Sequence, residues 1–304
     1  MTPSIWPKVS IVVPLYNARD VIKGTIESVL SQTFQDYEIV VVDDGSVDGS
    51  GDIVRGLDPR LRYVRQANGG VAKARNRGIA EAQGRYIALL DHDDLWHPTK
   101  LEKQVKVLDE RQEIGMVITD VSMIDRSGRL ILIAESAYRP SVTFARLFVQ
   151  GYEPTPSAAM IRRSVLDAVG GFDEDFDSAG LDDQELWPRI AAYCPITMIG
   201  EPLTFHRVSV AKPAEIELRH QPVLIMKLLE RFGHDPRKRR YLLAKRAAWL
   251  SDLGKQCTQK GYCQEGRSYL RKGLALSLGE GRNLRTAWRC LSRLVRSYLN
   301  RKAR

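Results

Sequence analysis

The stretch Tyr86-Ile87-Ala88-Leu89-Leu90-Asp91-His92-Asp93-Asp94 decides how this chain is read. Its apolar half is short, unbroken and bounded by charge, which predicts a strand buried on both faces. The strand then delivers Asp91, Asp93 and Asp94 almost together. Clustered carboxylates repel one another and are costly to desolvate, so a fold accepts them most readily beside a cation. Oxygen ligands suit Mg²⁺ or Mn²⁺, and both metals pair well with phosphates. The expectation is a divalent metal held for a diphosphate-bearing substrate. The alternative is a polar loop in which Asp93 or Asp94 caps a helix beginning near Pro98.

A second acidic segment points the same way. Glu38-Ile39-Val40-Val41-Val42 reads as another buried strand and runs into Asp43-Asp44-Gly45-Ser46-Val47-Asp48-Gly49-Ser50. In open α/β sheets ligands bind at the carboxyl ends of strands. Two strands ending in Asp pairs therefore aim carboxylates at one crevice, and Asp44 has the chemistry to accept the N–H of a pyrimidine base. An Asx-turn followed by a helix cap at Ser46 or Asp48 explains the same residues structurally; the two readings are compatible.

Outward from these segments, strands are expected at 9–13, 37–42, 61–65, 85–90, 115–120 and 196–206. Helices are expected at 20–31, 48–56, 71–83, 98–110, 141–149, 163–169 and 182–193. Asp125-Arg126-Ser127-Gly128 reads as a hairpin turn. The alternation predicts a layered α/β sheet. No Gly-x-Gly-x-x-Gly follows the first strand and no Gly-Lys-Ser/Thr loop occurs, which argues against a dinucleotide-dependent dehydrogenase and a P-loop kinase.

The opening Pro7-Lys8-Val9-Ser10-Ile11-Val12-Val13-Pro14-Leu15-Tyr16-Asn17 resembles that of family 2 glycosyltransferases with the GT-A fold. Ser31-Gln32-Thr33-Phe34, Val42-Asp43-Asp44-Gly45-Ser46, Asn68-Gly69-Gly70 with Ala74-Arg75-Asn76, and Leu90-Asp91-His92-Asp93-Asp94 follow in the family's order. Gly170-Gly171-Phe172-Asp173-Glu174 and Leu181-Asp182-Asp183-Gln184-Glu185-Leu186-Trp187-Pro188-Arg189 also match. The resemblance covers about residues 7–210. It implies a Rossmann-like central mixed sheet flanked by helices. Asp182-Asp183 stands where the family usually has Glu-Asp, a departure that keeps both carboxylates. Pro188 is unusual inside a helix.

The resemblance also implies roles. Pro14, Tyr16 and Asn17 form part of a nucleotide floor, and Tyr16 stacks on a base or packs in its loop. Asp44 meets the base N–H. Arg75 contacts a phosphate or the base, or pairs with an Asp of the same site. Asp93, with Asp91 nearby, holds the metal that stabilises the departing diphosphate. Asp183, beside Asp182, takes the proton of the acceptor hydroxyl, with inversion at the sugar carbon; the residue-level alternative is the acidic first turn of a helix. His92 is expected to point away from the ion. Arg207 has the reach to meet the diphosphate and His206 the chemistry of a further ligand, but both are read as surface polarity, and Trp96 and Trp187 as pocket or core.

The chain has 304 residues and is 43% hydrophobic, enough for one large domain and an appendage. Cys194, Cys257, Cys263 and Cys290 show neither metal-ligand nor disulfide spacing. With no visible signal peptide or membrane-spanning apolar run, a cytoplasmic protein is expected. Residues 235–304 carry 19 Lys/Arg against 4 Asp/Glu, so the formal net charge of +9 resides there and the remainder is net acidic. The predicted division is a catalytic domain at 1–215 and a basic helical region at 216–304. Trp288, Leu291, Leu294-Val295 and Tyr298-Leu299 form an apolar stripe among arginines, as in helices that lie on an anionic membrane surface. Packing onto the domain is the alternative, and no nucleic-acid motif accompanies the charge.

The combined expectation is a metal-dependent, inverting, hexosyltransferase-type enzyme moving a sugar from a nucleotide-diphospho-sugar, a UDP-sugar, to a glycan or lipid-linked acceptor. A non-catalytic GT-A-like binding protein would share the fold. A sugar nucleotidyltransferase would carry a Gly-rich basic loop after the first strand, which Pro14-Leu15-Tyr16-Asn17 is not.

Overall fold

A computed structural model describes residues 6–133, 141–149, 154–208, 214–260, 262–279 and 284–302. The chain divides into two compact units: residues 1–143 with 153–211, and residues 144–152 with 212–304. The division at 215/216 expected from charge falls just inside the second unit. That unit also takes helix α5 from the middle of the sequence.

The first unit is built on one ten-stranded sheet. Its strands are β1 (Val9–Leu15), β2 (Tyr37–Asp43), β3 (Leu61–Arg65), β4 (Tyr86–Leu89), β5 (Leu95–Trp96), β6 (Met116–Ile124), β7 (Leu130–Ile133), β8 (Ser141–Val142), β9 (Ala159–Arg162) and β10 (Ile196–Arg207). The main order is β3-β2-β1-β4-β9-β6-β10-β5, with β7 added to β6 and β8 to β10. β3, β2, β1 and β4 run parallel. β9 is antiparallel to both β4 and β6, so the sheet is mixed.

The helices of this unit are α1 (Ile22–Leu30), α2 (Ser50–Val54), α3 (Val71–Glu81), α4 (Lys100–Glu110), α6 (Arg163–Val169) and α7 (Asp182–Tyr193). Helix α5 (Phe144–Val149) opens the second unit. Every residue of β1 is buried. This explains why Val9–Leu15 reads as a continuous apolar run: a parallel strand covered on both faces has no polar side to show. From β1 the chain builds outward through β2 to β3, then returns to place β4 on β1's other flank. Strand order reverses at β1, and a crevice opens at such a switch point beyond the carboxyl ends.

The predicted strands and helices all appear, with ends shifted by a few residues. The hairpin read at residues 125–128 joins β6 to β7 as expected, while the short strands β5, β8 and β9 were not anticipated. β9 lies in Ala159-Met160-Ile161-Arg162, too brief to declare a period on its own. Pro188 does not break α7, which continues from Asp182 to Tyr193 with Pro188 buried.

The second unit adds α8 (Ala214–Phe232), α9 (Pro236–Gln259), α10 (Cys263–Leu278) and α11 (Leu284–Lys302). Asp235 caps α9 by accepting from the amides of Arg237 and Lys238. Gly254 and Gly266 let α9 and α10 meet closely: a Cβ on Gly254 would lie 2.8 Å from the Gly266 carbonyl. On α11, Ala287, Cys290, Leu294 and Ser297 are buried, whereas Trp288, Leu291 and Val295 are exposed. The stripe expected from sequence is thus split. Leu294 belongs to the packed face, and the exposed apolar row is Trp288, Leu291 and Val295; the side chains of Tyr298 and Leu299 lie outside the described residues. No helix among the described residues is long and apolar enough to cross a membrane.

Candidate active site

The loop beyond the carboxyl end of β4 and the first turn of α7 meet at Arg75. This guanidinium, carried on α3, is buried. Its Nη2 donates to Asp91 Oδ1 and its Nη1 to Asp182 Oδ2, each at 2.5 Å. Its flat face lies 5.2 Å from the Phe172 ring centre. Of the roles open to Arg75, the structure displays the ion pair. Two carboxylates far apart in sequence are thereby locked to one cation, and Asp182 fixes the start of α7 where Asp183 sits.

The electrostatics of this cluster are unequal. Burial pushes the Arg75 guanidinium down, but Asp91 and Asp182 outweigh it and hold it firmly protonated. Burial also pushes the Asp91 carboxyl up, and Arg75 overrides this to keep it below the usual range. For Asp182 burial wins over Arg75, and the nearby Asp91 adds to the upward shift. One guanidinium serves two acids and cannot neutralise both.

The Asp91–Asp94 loop divides its labour. The Asp91 amide donates to Ser157 Oγ at 3.0 Å. Asp94 is fully buried and accepts from the Arg207 amide at 2.8 Å, with His206 Nδ1 3.2 Å away. It does not cap α4, which begins at Lys100 after Thr99. The hydrogen bond to Asp94 raises the His206 imidazole to about 9 against the opposing effect of burial. Asp93 differs: no protein group donates to its side-chain oxygens among the described residues. Burial, then repulsion from Asp94, pushes its carboxyl up. His92 turns Nδ1 to the Pro14 carbonyl at 3.1 Å, away from these carboxylates.

Arg207 is buried, contrary to the expectation of surface polarity. Its Nε donates to the Asp93 carbonyl at 2.7 Å, and its Nη1 to the carbonyls of Asp125 and Arg126 in the β6–β7 turn. A backbone carbonyl cage around a guanidinium leaves no mark in sequence. Ser157 and Phe172 were likewise missed as contributors. Ser157 sits in a single 3₁₀ turn, Pro156–Ala158, and Phe172 declares its role only once α3 is folded beneath it. Trp96 and Trp187 are core residues: their indole N–H groups donate to the carbonyls of Ser157 and Pro154.

The nucleotide-floor residues gather nearby. Asn17 adopts φ 45°, a left-handed conformation that Asn tolerates better than most residues. Its Oδ1 accepts from the Val47 amide and its own amide donates to Ser46 Oγ. Pro14 lies at the end of β1, and Tyr16 is exposed beyond it. Asp43 accepts from the Ser46 amide at 2.7 Å, three residues on. The expected Asx-turn forms instead at Asp48, whose Oδ1 accepts from the Ser50 amide at 2.9 Å, and Gly49 rather than Ser46 or Asp48 is the N-cap of α2. Asp44 accepts from the amides of Gly69 and Gly70 and from Gln66 Nε2. Most of its acceptor capacity is committed to holding that glycine loop, and a base N–H would share the remainder. A cleft of about 560 Å³ opens beside Asp93, lined by Asn17, Arg19, Asp48, His92, Arg126 and Arg207 among others.

No group of three or more His, Cys, Asp or Glu is poised to hold a metal by itself among the described residues. An under-satisfied carboxylate with a depressed tendency to ionise nevertheless fits a cation. Mg²⁺ usually keeps several waters and takes one or two carboxylates together with substrate phosphates. Asp93, with Asp91 behind it, matches that donor set.

A mixed sheet that brings Asp-ended strands to one switch point is the GT-A type of glycosyltransferase frame. Residues 10–170 match the family model described as Glycosyl transferase family 2, and the chain belongs to that family. It is 47% identical over 126 residues to a putative teichuronic acid biosynthesis glycosyltransferase, TuaG, of Bacillus subtilis, covering 40% of this chain and 50% of that protein. An uncharacterized glycosyltransferase of Rickettsia felis is 34% identical over 204 residues, covering 66% of this chain and 33% of its relative. The chain therefore spans half or less of the length of these relatives. Among solved structures, S. aureus TarS 1-349 superposes with a TM-score of 0.68 at 20% identity, over 96% of this chain and 89% of that one. The same fragment in complex with UDP-GlcNAc gives the same TM-score of 0.68.

Replacing Arg75 by Met tests the central pair. Removing one partner of a buried ion pair typically costs about 3–5 kcal/mol. Asp91 and Asp182 would then both favour protonation in the folded state. Their contribution is retained at low pH and lost as pH rises through their raised folded values. Urea unfolding should show the deficit of Arg75→Met growing between mildly acidic and neutral pH; a deficit independent of pH would contradict the pairing.

Proposed function

We propose that this protein is a metal-dependent, inverting glycosyltransferase that moves a hexosyl group from a UDP-sugar to a glycan or lipid-linked acceptor of a cell-surface polymer. The observation that carries this reading is the contrast within one cluster. Asp91 and Asp182 are locked by Arg75, while Asp93 is left without a hydrogen-bond donor. Support for the donor class comes from the TarS fragment, whose fold this chain shares and which is described in complex with UDP and with UDP-GlcNAc. Support for the polymer class comes from TuaG, which is named for teichuronic acid biosynthesis.

In this reading the floor of Pro14, Tyr16 and Asn17, with Asp44, receives the nucleotide. Asp93 and Asp91 hold Mg²⁺ or Mn²⁺. The bound cation supplies charge neutralisation for the departing diphosphate. Asp183 is the general base. Its Oδ1 accepts from the Gln184 amide at 2.7 Å, which fixes the carboxylate at the first turn of α7. Asp182 positions it through Arg75. Attack on the face opposite the leaving group inverts the sugar carbon. The exposed row of Trp288, Leu291 and Val295, with exposed Arg285 beside Trp288, suits peripheral attachment to an anionic membrane.

Asp183→Asn should keep the fold and UDP affinity yet lose about 10²–10⁴ in transfer rate, because an amide accepts no proton. Turnover near that of the parent would move the base elsewhere. Asp93→Ala and chelation should weaken UDP binding alike in calorimetry; equal binding with and without Mg²⁺ or Mn²⁺ would sink the metal's role. Trp288→Ser should reduce flotation with phosphatidylglycerol vesicles while UDP binding stays unchanged. Undiminished flotation would mean the row serves another contact.

A further inference from the structure

We propose that the helical unit carries a second binding site, a basic cleft between α9 and α11 that takes the oxyanion groups of an anionic glycan. The inference rests on the reading of the protein as a glycan-building transferase for the identity of that ligand, and on the cleft's own chemistry for its charge.

The cavity measures about 440 Å³, and its lining includes Lys255, Thr258, Gln259, Arg289 and Arg293. No carboxylate lines it. Arg293 is anchored from behind: its Nη1 donates to Ser251 Oγ at 2.9 Å and to Asp252 Oδ1 at 2.7 Å. One ion pair thus orients the guanidinium without filling its remaining donors. Lys255 and Arg289 are exposed, and their side chains make no hydrogen bond or ion pair among the described residues. Three cations facing one concavity repel one another unless an anion enters, and only Arg293 has a carboxylate to offset it. A guanidinium fork matches phosphate and carboxylate oxygens equally well, and the Lys255 ammonium adds a mobile point charge.

Geometry favours a polymer over a bilayer as occupant. The cleft is concave and large enough for a sugar-phosphate or uronate unit. The outward apolar row points elsewhere on α11, since Arg289 and Arg293 fall about 100° or more from Trp288, Leu291 and Val295 on a helical projection. A flat membrane meeting that row would not need the cleft. Repeated anionic groups along a glycan would let the site retain a chain between transfer events.

The test uses the intact protein and two probes, a poly(glycerol phosphate) chain and polyglucuronate, titrated by calorimetry at about 0.15 M salt. The parent protein should bind at least one polymer, and which one separates phosphate from carboxylate as the source. Lys255→Ala/Arg289→Ala should weaken that binding at least about ten-fold, because charge-assisted hydrogen bonds are lost. Its melting temperature and UDP affinity should not change, since both side chains are exposed and unpartnered. The proposal is overturned if neither polymer binds the parent, or if the double variant binds as tightly. It is also overturned if the variant loses only flotation on phosphatidylglycerol vesicles, which would assign the cleft to lipid. Failure of UDP to bind the parent, with polymer binding intact, would instead remove the donor reading and leave the cleft standing.

Discussion

Everything at the candidate site depends on one buried guanidinium. Arg75 joins the loop after β4 to the first turn of α7 through Asp91 and Asp182. Burying charge is unfavourable in itself, and such pairs contribute more to specifying a single arrangement than to net stability. Here the arrangement specified is the separation between a loop suited to a cation and a helix start suited to a base. Phe172 covers the guanidinium, and Arg189, paired with Glu185, holds the Val169–Gly171 carbonyls that lead into Phe172. Helix α7 and the cover over Arg75 are therefore braced by the same short segment.

The sheet explains why these pieces come from such distant parts of the sequence. The parallel half from β3 to β4 presents three strand ends to one crevice, and its glycine-rich turns are tied by Asp44 and Asn17. β9 then inserts antiparallel, and β6 and β10 extend the sheet beyond it. The return of β10 brings His206 and Arg207 back to the Asp93–Asp94 loop. The parallel half and the rest of the sheet are stitched at the very loop where the chemistry is proposed.

Much of this was legible before folding was considered. Buried parallel strands announce themselves as unbroken apolar runs, which is why Val9–Leu15, Tyr37–Asp43 and Tyr86–Leu89 were readable. The Asp clusters at their ends were readable because clustered charge beside apolar sequence has few cheap explanations. What sequence could not supply was partnership. Whether Arg75 met phosphate or carboxylate depended on a contact across 107 positions. Arg207 looked like surface because its partners are backbone carbonyls, which every residue possesses. On α11 the apolar positions were visible, but their division between a packed and an exposed face needed α9 and α10 in place.

The cage around Arg207 also bears on how the protein breathes. One side chain grips the Asp93 carbonyl and both carbonyls of the β6–β7 turn, while its amide holds Asp94. Neither turn can open without releasing the other. In hydrogen-exchange terms the two belong to one cooperative opening unit, although some thirty residues separate them along the chain. Fluctuations of a distal hairpin would then register directly in the loop that bears Asp93, and quieting that hairpin would stiffen the loop with no change to any carboxylate.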